Sequence, residues 1–165
     1  MALSIDRSAL FDPAAFLGEG WSIWRGPADG NGLEGEPEQD ARALSISALN
    51  AEDFLFDTAI VPPERWVKGE AKLPRLRATG KVLLDAQIAQ ALYEEAGQQT
   101  LNEIMQKTGV SWFDLPGTVL RDREGYRYLL GVYFNDGKWP WYPHWLENNW
   151  RASRPSALYR GTIEV

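Results

Sequence analysis

Three features of this 165-residue chain could do chemistry: a lone histidine, a dense run of aromatic rings and an acid-rich glycine loop. The histidine is His144, set between Pro143 and Trp145. A single imidazole excludes multi-histidine metal sites. The absence of cysteine excludes disulfides, thiolate ligands and cysteine nucleophiles. As a general base His144 would need an orienting partner within hydrogen-bond reach, and the sequence designates none. A packing or hydrogen-bonding role therefore ranks ahead of a catalytic one. No Walker A loop, G-x-G-x-x-G turn, H-E-x-x-H pair or G-x-S-x-G elbow is present. With 23 acids a carboxylate pair for glycoside hydrolysis can always be drawn, so its possibility carries no information.

Residues 126–150 hold nine aromatics: Tyr126, Tyr128, Tyr133, Phe134, Trp139, Trp141, Tyr142, Trp145 and Trp150. A two-residue type I′ turn at Asp136-Gly137 would set Asn135 opposite Lys138. That register pairs Phe134 with Trp139, Val132 with Trp141, Leu130 with Pro143 and Tyr128 with Trp145, all on one face. The other face pairs Tyr133 with Pro140, Gly131 with Tyr142 and Leu129 with His144. A three-residue turn would shift everything by one. Pro140 and Pro143 cannot donate to a ladder, so 138–145 reads as an edge strand. Two apolar faces cannot both meet water. The larger, tryptophan-bearing set is expected inward, and Tyr133, Tyr142 and His144 are the candidate binding surface. If the facing is inverted, the candidate surface is Trp139, Trp141 and Trp145. The plainer reading is that one face is core and helices over 85–107 cover the other.

The stretch from Gly26 to Asp40 holds four glycines and five acids. Asp29, Asn31 and Asp40 fit calcium-loop positions 1, 3 and 12, but Leu33 and Glu34 fail at positions 5 and 6. A solvated acidic loop is the expectation, with no metal and no cofactor. Residues 1–57 carry 11 acids against 3 bases, and the whole chain has a net charge of −6. That balance argues against nucleic-acid binding, which needs several cations on one face. Arg121, Arg123 and Arg127 cluster around a turn but alternate with Asp122 and Glu124, so a balanced solvated turn is expected.

These features need elements to position them. Asp12-Pro13 opens a short helix that ends before Gly18. Strands are expected over 21–25, 43–49 and 54–61. The middle, 69–107, is helical: one segment interrupted at Pro74, one opened by Asp85, one opened by a Thr100–Glu103 capping box. Strand candidates 110–113, 118–121, 126–134 and 138–145 follow, separated by turn sequences. The fold class is α+β: an antiparallel β-meander over 110–150 with a few short helices in a single compact domain, 1–165. No apolar run reaches membrane length, and the N-terminus lacks a secretory pattern, so the cytoplasm is the expected place.

The stretches Trp21-Ser-Ile-Trp24-Arg-Gly-Pro-Ala-Asp-Gly30 and Gly117-Thr-Val-Leu-Arg121, with the Tyr/Trp-rich end, resemble a group of small bacterial and phage-type proteins. The resemblance implies a prokaryotic or mobile-element origin, with virion association as one setting. It brings no activity and no site residues.

The leading reading is a non-enzymatic interaction protein that binds another protein through the aromatic hairpin, the acidic loop, or both. A carbohydrate-binding module using Trp139, Trp141, Tyr142 and Trp145 is the first alternative. An enzyme acting through His144 and a carboxylate is the second.

Overall fold

The computed structural model describes residues 2–163, and most element boundaries follow local chemistry. β1 (Leu3–Ser4) is followed by α1 (Pro13–Leu17). The Asp12 carboxylate caps α1 by accepting from the Ala14 and Ala15 amides, with Pro13 in the first turn. β2 (Ser22–Ile23), β3 (Ala48–Leu49), β4 (Phe54–Asp57) and β5 (Trp66–Lys68) are all short. α2 (Gly69–Arg77) carries Pro74 within it and buries Lys72, Leu73 and Leu76. α3 (Ala86–Glu94) starts at Asp85, whose carboxylate accepts from the Ile88 amide. α4 (Gln99–Thr108) buries Leu101 and Ile104. The remaining strands are β6 (Trp112–Arg121), β7 (Arg127–Tyr133), β8 (Trp141–Trp145), β9 (Asn149–Arg151) and β10 (Ser156–Tyr159).

The main sheet runs β4-β10-β6-β7-β8, with β2 also paired to β6. β6, β7 and β8 form an antiparallel meander, so the fold is α+β. The meander ends at β8, however. The chain then leaves the sheet, pairs β9 with β5, and returns as β10 parallel to β6. The sheet is therefore mixed.

Three expected elements come out differently. Residues 43–49 are not one strand. Ala41–Ser45 is a 3-10 turn, because the Asp40 carboxylate accepts from the Arg42 amide and holds the chain in a capped turn. Residues 110–113 and 118–121 are not two strands, and Pro116-Gly117 is an irregularity inside the single strand β6. There the Gly117 amide donates to Leu84 O at 2.7 Å and its carbonyl accepts from Asp40 N at 2.8 Å, so neighbouring segments satisfy the interrupted ladder. The Thr100–Glu103 box is replaced by Glu95, whose carboxylate accepts from both the amide and the hydroxyl of Thr100.

Both faces of the sheet are covered. One packs Phe113, Leu115, Leu130, Val132, Trp139 and Ala157 against α3 and α4. The other packs Leu129, Leu158 and Val119 with Trp24, Trp150 and the Leu73 and Leu76 side chains of α2. Strand alternation thus divides the aromatics between two interiors rather than between an interior and water.

Candidate functional site

The hairpin register is Tyr128 with Trp145, Leu129 with His144, Leu130 with Pro143, Gly131 with Tyr142 and Val132 with Trp141. Asp136 and Gly137 take φ of 52° and 78°, and Asn135 bridges Lys138. Both central residues have positive φ, as a type I′ turn requires. β8 lies at the sheet edge.

The faces do not divide as the apolar count implies. His144 is buried, with its ring flat against Trp150 at 3.6 Å and 6°. Tyr142 is half-buried and lies over Gly131, where a Cβ would come within 2.6 Å of the ring. Trp112 and Tyr133 complete the packing, at ring separations of 5.5 and 5.6 Å from Tyr142. The cover on this face is α2 and Trp150, not the helices over 85–107. On the other face Trp139 is sealed, while Trp141 is half-buried against Phe16 of α1. Trp145 and Tyr126 stay open at 37% and 48% exposure, edge to face at 5.7 Å. Tyr128 beside them packs on Trp21 at 5.0 Å. The open aromatic surface is thus the outer end of the tryptophan face.

A polar cluster unmarked by any motif lies under α2. Asp57, Ser156, Asp114, Gly131 and Tyr142 are successive neighbours across five strands, which puts them in one row on one face. Lys72 reaches down from α2 to 3.7 Å from the Asp114 carboxylate, with both side chains at most 1% exposed. Ser156 Oγ donates to Asp114 Oδ1 at 2.7 Å, and Lys72 Nζ donates to Arg154 O at 3.1 Å. Among the described residues Asp114 Oδ2 has no hydrogen-bond partner. Burial pushes the Asp114 carboxyl up to about 6 against the pull of Lys72, and pulls the Lys72 ammonium down against that of Asp114 and Asp57. Burial, helped by the Arg154 and Lys72 charges, holds His144 at about 3. The imidazole is therefore neutral at physiological pH. The Tyr142 hydroxyl lies 3.5 Å from its Nδ1.

Two signals for this cluster exist in the sequence. Lys72 shares a helix face with Leu76 four residues on, and Asp114 sits in the apolar run Trp-Phe-Asp-Leu. Reading Asp-Leu-Pro-Gly as a turn hides the second.

The acidic loop is not a free solvated loop along its whole length. Arg127 is buried over the Trp24 ring at 4.7 Å, where it donates to Glu38 at 2.7 and 3.0 Å and to Glu70 at 2.7 and 3.2 Å. Arg77 adds a bond to Glu38 at 2.8 Å. Burial disfavours the Glu38 charge, but the two guanidiniums outweigh it and hold its carboxyl below the usual range. The arginine turn is therefore not a balanced solvated turn throughout. Arg127 points into the protein, while Arg121 and Arg123 donate to Asn31 O and Glu19 O and fasten the N-terminal segment. A groove of about 740 Å³ opens beside this network, floored by Leu73, Pro74 and Leu83. The carboxylates of Glu38 and Glu70 in its wall are already occupied by Arg127.

The site residues therefore do not form one constellation. His144 and Tyr142 join the interior cluster, Trp139 joins the core, and Trp141 and Trp145 lie along the open edge. A sugar platform would need Trp139 and Tyr142 in the open with them. A general base would need access that Trp150 denies His144. Among the described residues no group of three or more His, Asp or Glu is placed to hold a metal ion, and no helix is long and apolar enough to cross a membrane. No protein-family model matches the chain, and neither a curated protein nor a solved structure does, so the geometry alone carries the functional reading.

Proposed function

We propose that the chain is a protein-binding module whose contact surface is the aromatic edge formed by Trp141, Trp145 and Tyr126. The observation that carries this reading is the half-open Tyr126–Trp145 pair beside a completed core. Trp24, Trp139 and Trp150 are sealed, so leaving these two large rings half in water serves no packing need. Rigid aromatics lose little rotamer freedom on binding and dominate interface energetics. The backbone edge itself is blunted. Pro143 in mid-strand removes a donor, which disfavours pairing with another strand. What β8 offers is rings, not a ladder. Exposed Glu19, Glu124 and Glu147 lie in the flanking segments, in a chain of net charge −6, and favour a partner with a basic surface. The expected setting is cytoplasmic, and the origin prokaryotic or phage.

The double variant Tyr126→Ser/Trp145→Ser tests it. Both rings are already half-solvated, so the melting temperature should fall by only a few degrees. Immobilised wild-type chain should retain a partner from a lysate of its source cells, and the purified partner should bind the variant about thirtyfold more weakly, a loss of about 2 kcal/mol. Equal binding by both proteins, or no retained protein at all, goes against the proposal.

A further inference from the structure

We propose that Lys72 and Asp114 join through a spontaneous intramolecular amide bond, formed between Lys72 Nζ and Asp114 Cγ with loss of one water. The two groups already meet at 3.7 Å in a site closed to solvent, between α2 and the centre of the sheet. Trp150 covers Nζ at 4.8 Å, and Tyr142, at the end of the row that holds Asp114, packs on Trp112. Burial raises the carboxyl and lowers the ammonium, so the amine–acid form, which is the same pair with one proton moved, lies closer in energy to the ion pair than it does in water. A neutral amine is a nucleophile and a protonated carboxyl is an electrophile.

Hydrogen bonding favours the product as well. Oδ1 is held by the Ser156 hydroxyl, which can steady the charge that develops on this oxygen as Nζ attacks. Oδ2 is the oxygen without a hydrogen-bond partner among the described residues. In the reaction the Nζ lone pair forms the bond to Cγ, and the Cγ–Oδ2 bond breaks. Oδ2 leaves as water, carrying its carboxyl proton and one proton from Nζ. Nothing is oxidised or reduced, and no co-reactant is needed. The amide keeps Oδ1 as its carbonyl, still bonded to Ser156, and keeps one N–H, already aimed at Arg154 O at 3.1 Å. The unreacted pair leaves a buried carboxylate oxygen unpaired. The amide removes that atom and leaves each polar group of the linkage with a partner.

Intact-mass spectrometry of the purified full chain tests this. The bulk of the protein should be lighter than its sequence mass by one water. A tryptic digest should contain a branched peptide joining residues 69–75 to 108–121. Lys72→Arg has no primary amine at this site and should show its full sequence mass. Asp114→Asn has ammonia rather than water to lose, and should arrive at the same final mass as the linked wild type. A wild-type chain at full sequence mass overturns the proposal. So does a water loss that maps to Asp29-Gly30 or Asp136-Gly137, where a succinimide would account for it.

Discussion

Trp150→Ala is expected to lower the unfolding free energy by about 3–5 kcal/mol at neutral pH, the usual cost of deleting a large ring from a core. Trp150 is fully buried and stacks on His144, covers Lys72, and donates from Nε1 to Trp145 O at 3.2 Å. Truncation removes all of these contacts and opens a path for water to the imidazole. The loss should therefore depend on pH. In the wild type His144 is held at about 3, so the folded state refuses a proton that the unfolded chain accepts below its ordinary 6.5. The wild type accordingly loses stability from this group as pH falls from 6.5 toward 3. With Trp150 gone the imidazole is hydrated, its proton affinity recovers, and that loss shrinks. Urea denaturation at pH 7 and pH 5 should show the gap between variant and wild type narrowing by roughly 1–2 kcal/mol, since a tenfold change in proton affinity is worth about 1.4 kcal/mol. A gap that stays constant or widens would place His144 in water already.

Arg127→Ala should cost about 3–5 kcal/mol and loosen the acidic loop. The guanidinium is 7% exposed and neutralises Glu38 and Glu70 together while covering Trp24. Removing it leaves two carboxylates in a half-buried site with Arg77 as the remaining cation on Glu38, and an unpaired buried charge is costly. Truncation also strips the ring of Trp24, which anchors the loop through a bond from Nε1 to Pro27 O at 3.1 Å. Limited proteolysis should then cut the variant within 26–40 far faster than the wild type, alongside a lower urea midpoint. Arg123→Ala serves as the control, because that residue is exposed and donates a single bond to Glu19 O. Equal protease resistance in Arg127→Ala and wild type would mean the loop is ordered by its glycine turns instead.

Local chemistry made much of this architecture legible. Asp12 and Asp85 announce helix starts, and Asp136-Gly137, taken as a two-residue type I′ turn, yields the observed hairpin register. Which face is interior was not legible, because both faces are covered and the cover comes from distant parts of the chain. α2 and Trp150 seal His144, while α1 places Phe16 on Trp141. Long-range backbone bonds likewise turn Pro116-Gly117 from a turn into an interrupted strand. The Lys72–Asp114 pair escaped for the same reason: 42 residues, with α3 and α4 among them, separate two charges that only the packing of α2 on the assembled sheet brings together.

Hydroxyl-radical footprinting, read residue by residue by mass spectrometry on the free protein and on its complex with the captured partner, tests the functional reading most directly. In the free protein Tyr126 and Trp145 should oxidise readily, while Trp139, His144 and Trp150 stay protected. In the complex Tyr126 and Trp145 should become protected. Fast oxidation of His144 and Trp150 in the free protein, or undiminished oxidation of Tyr126 and Trp145 in the complex, would contradict the assignment of the aromatic edge as the binding surface.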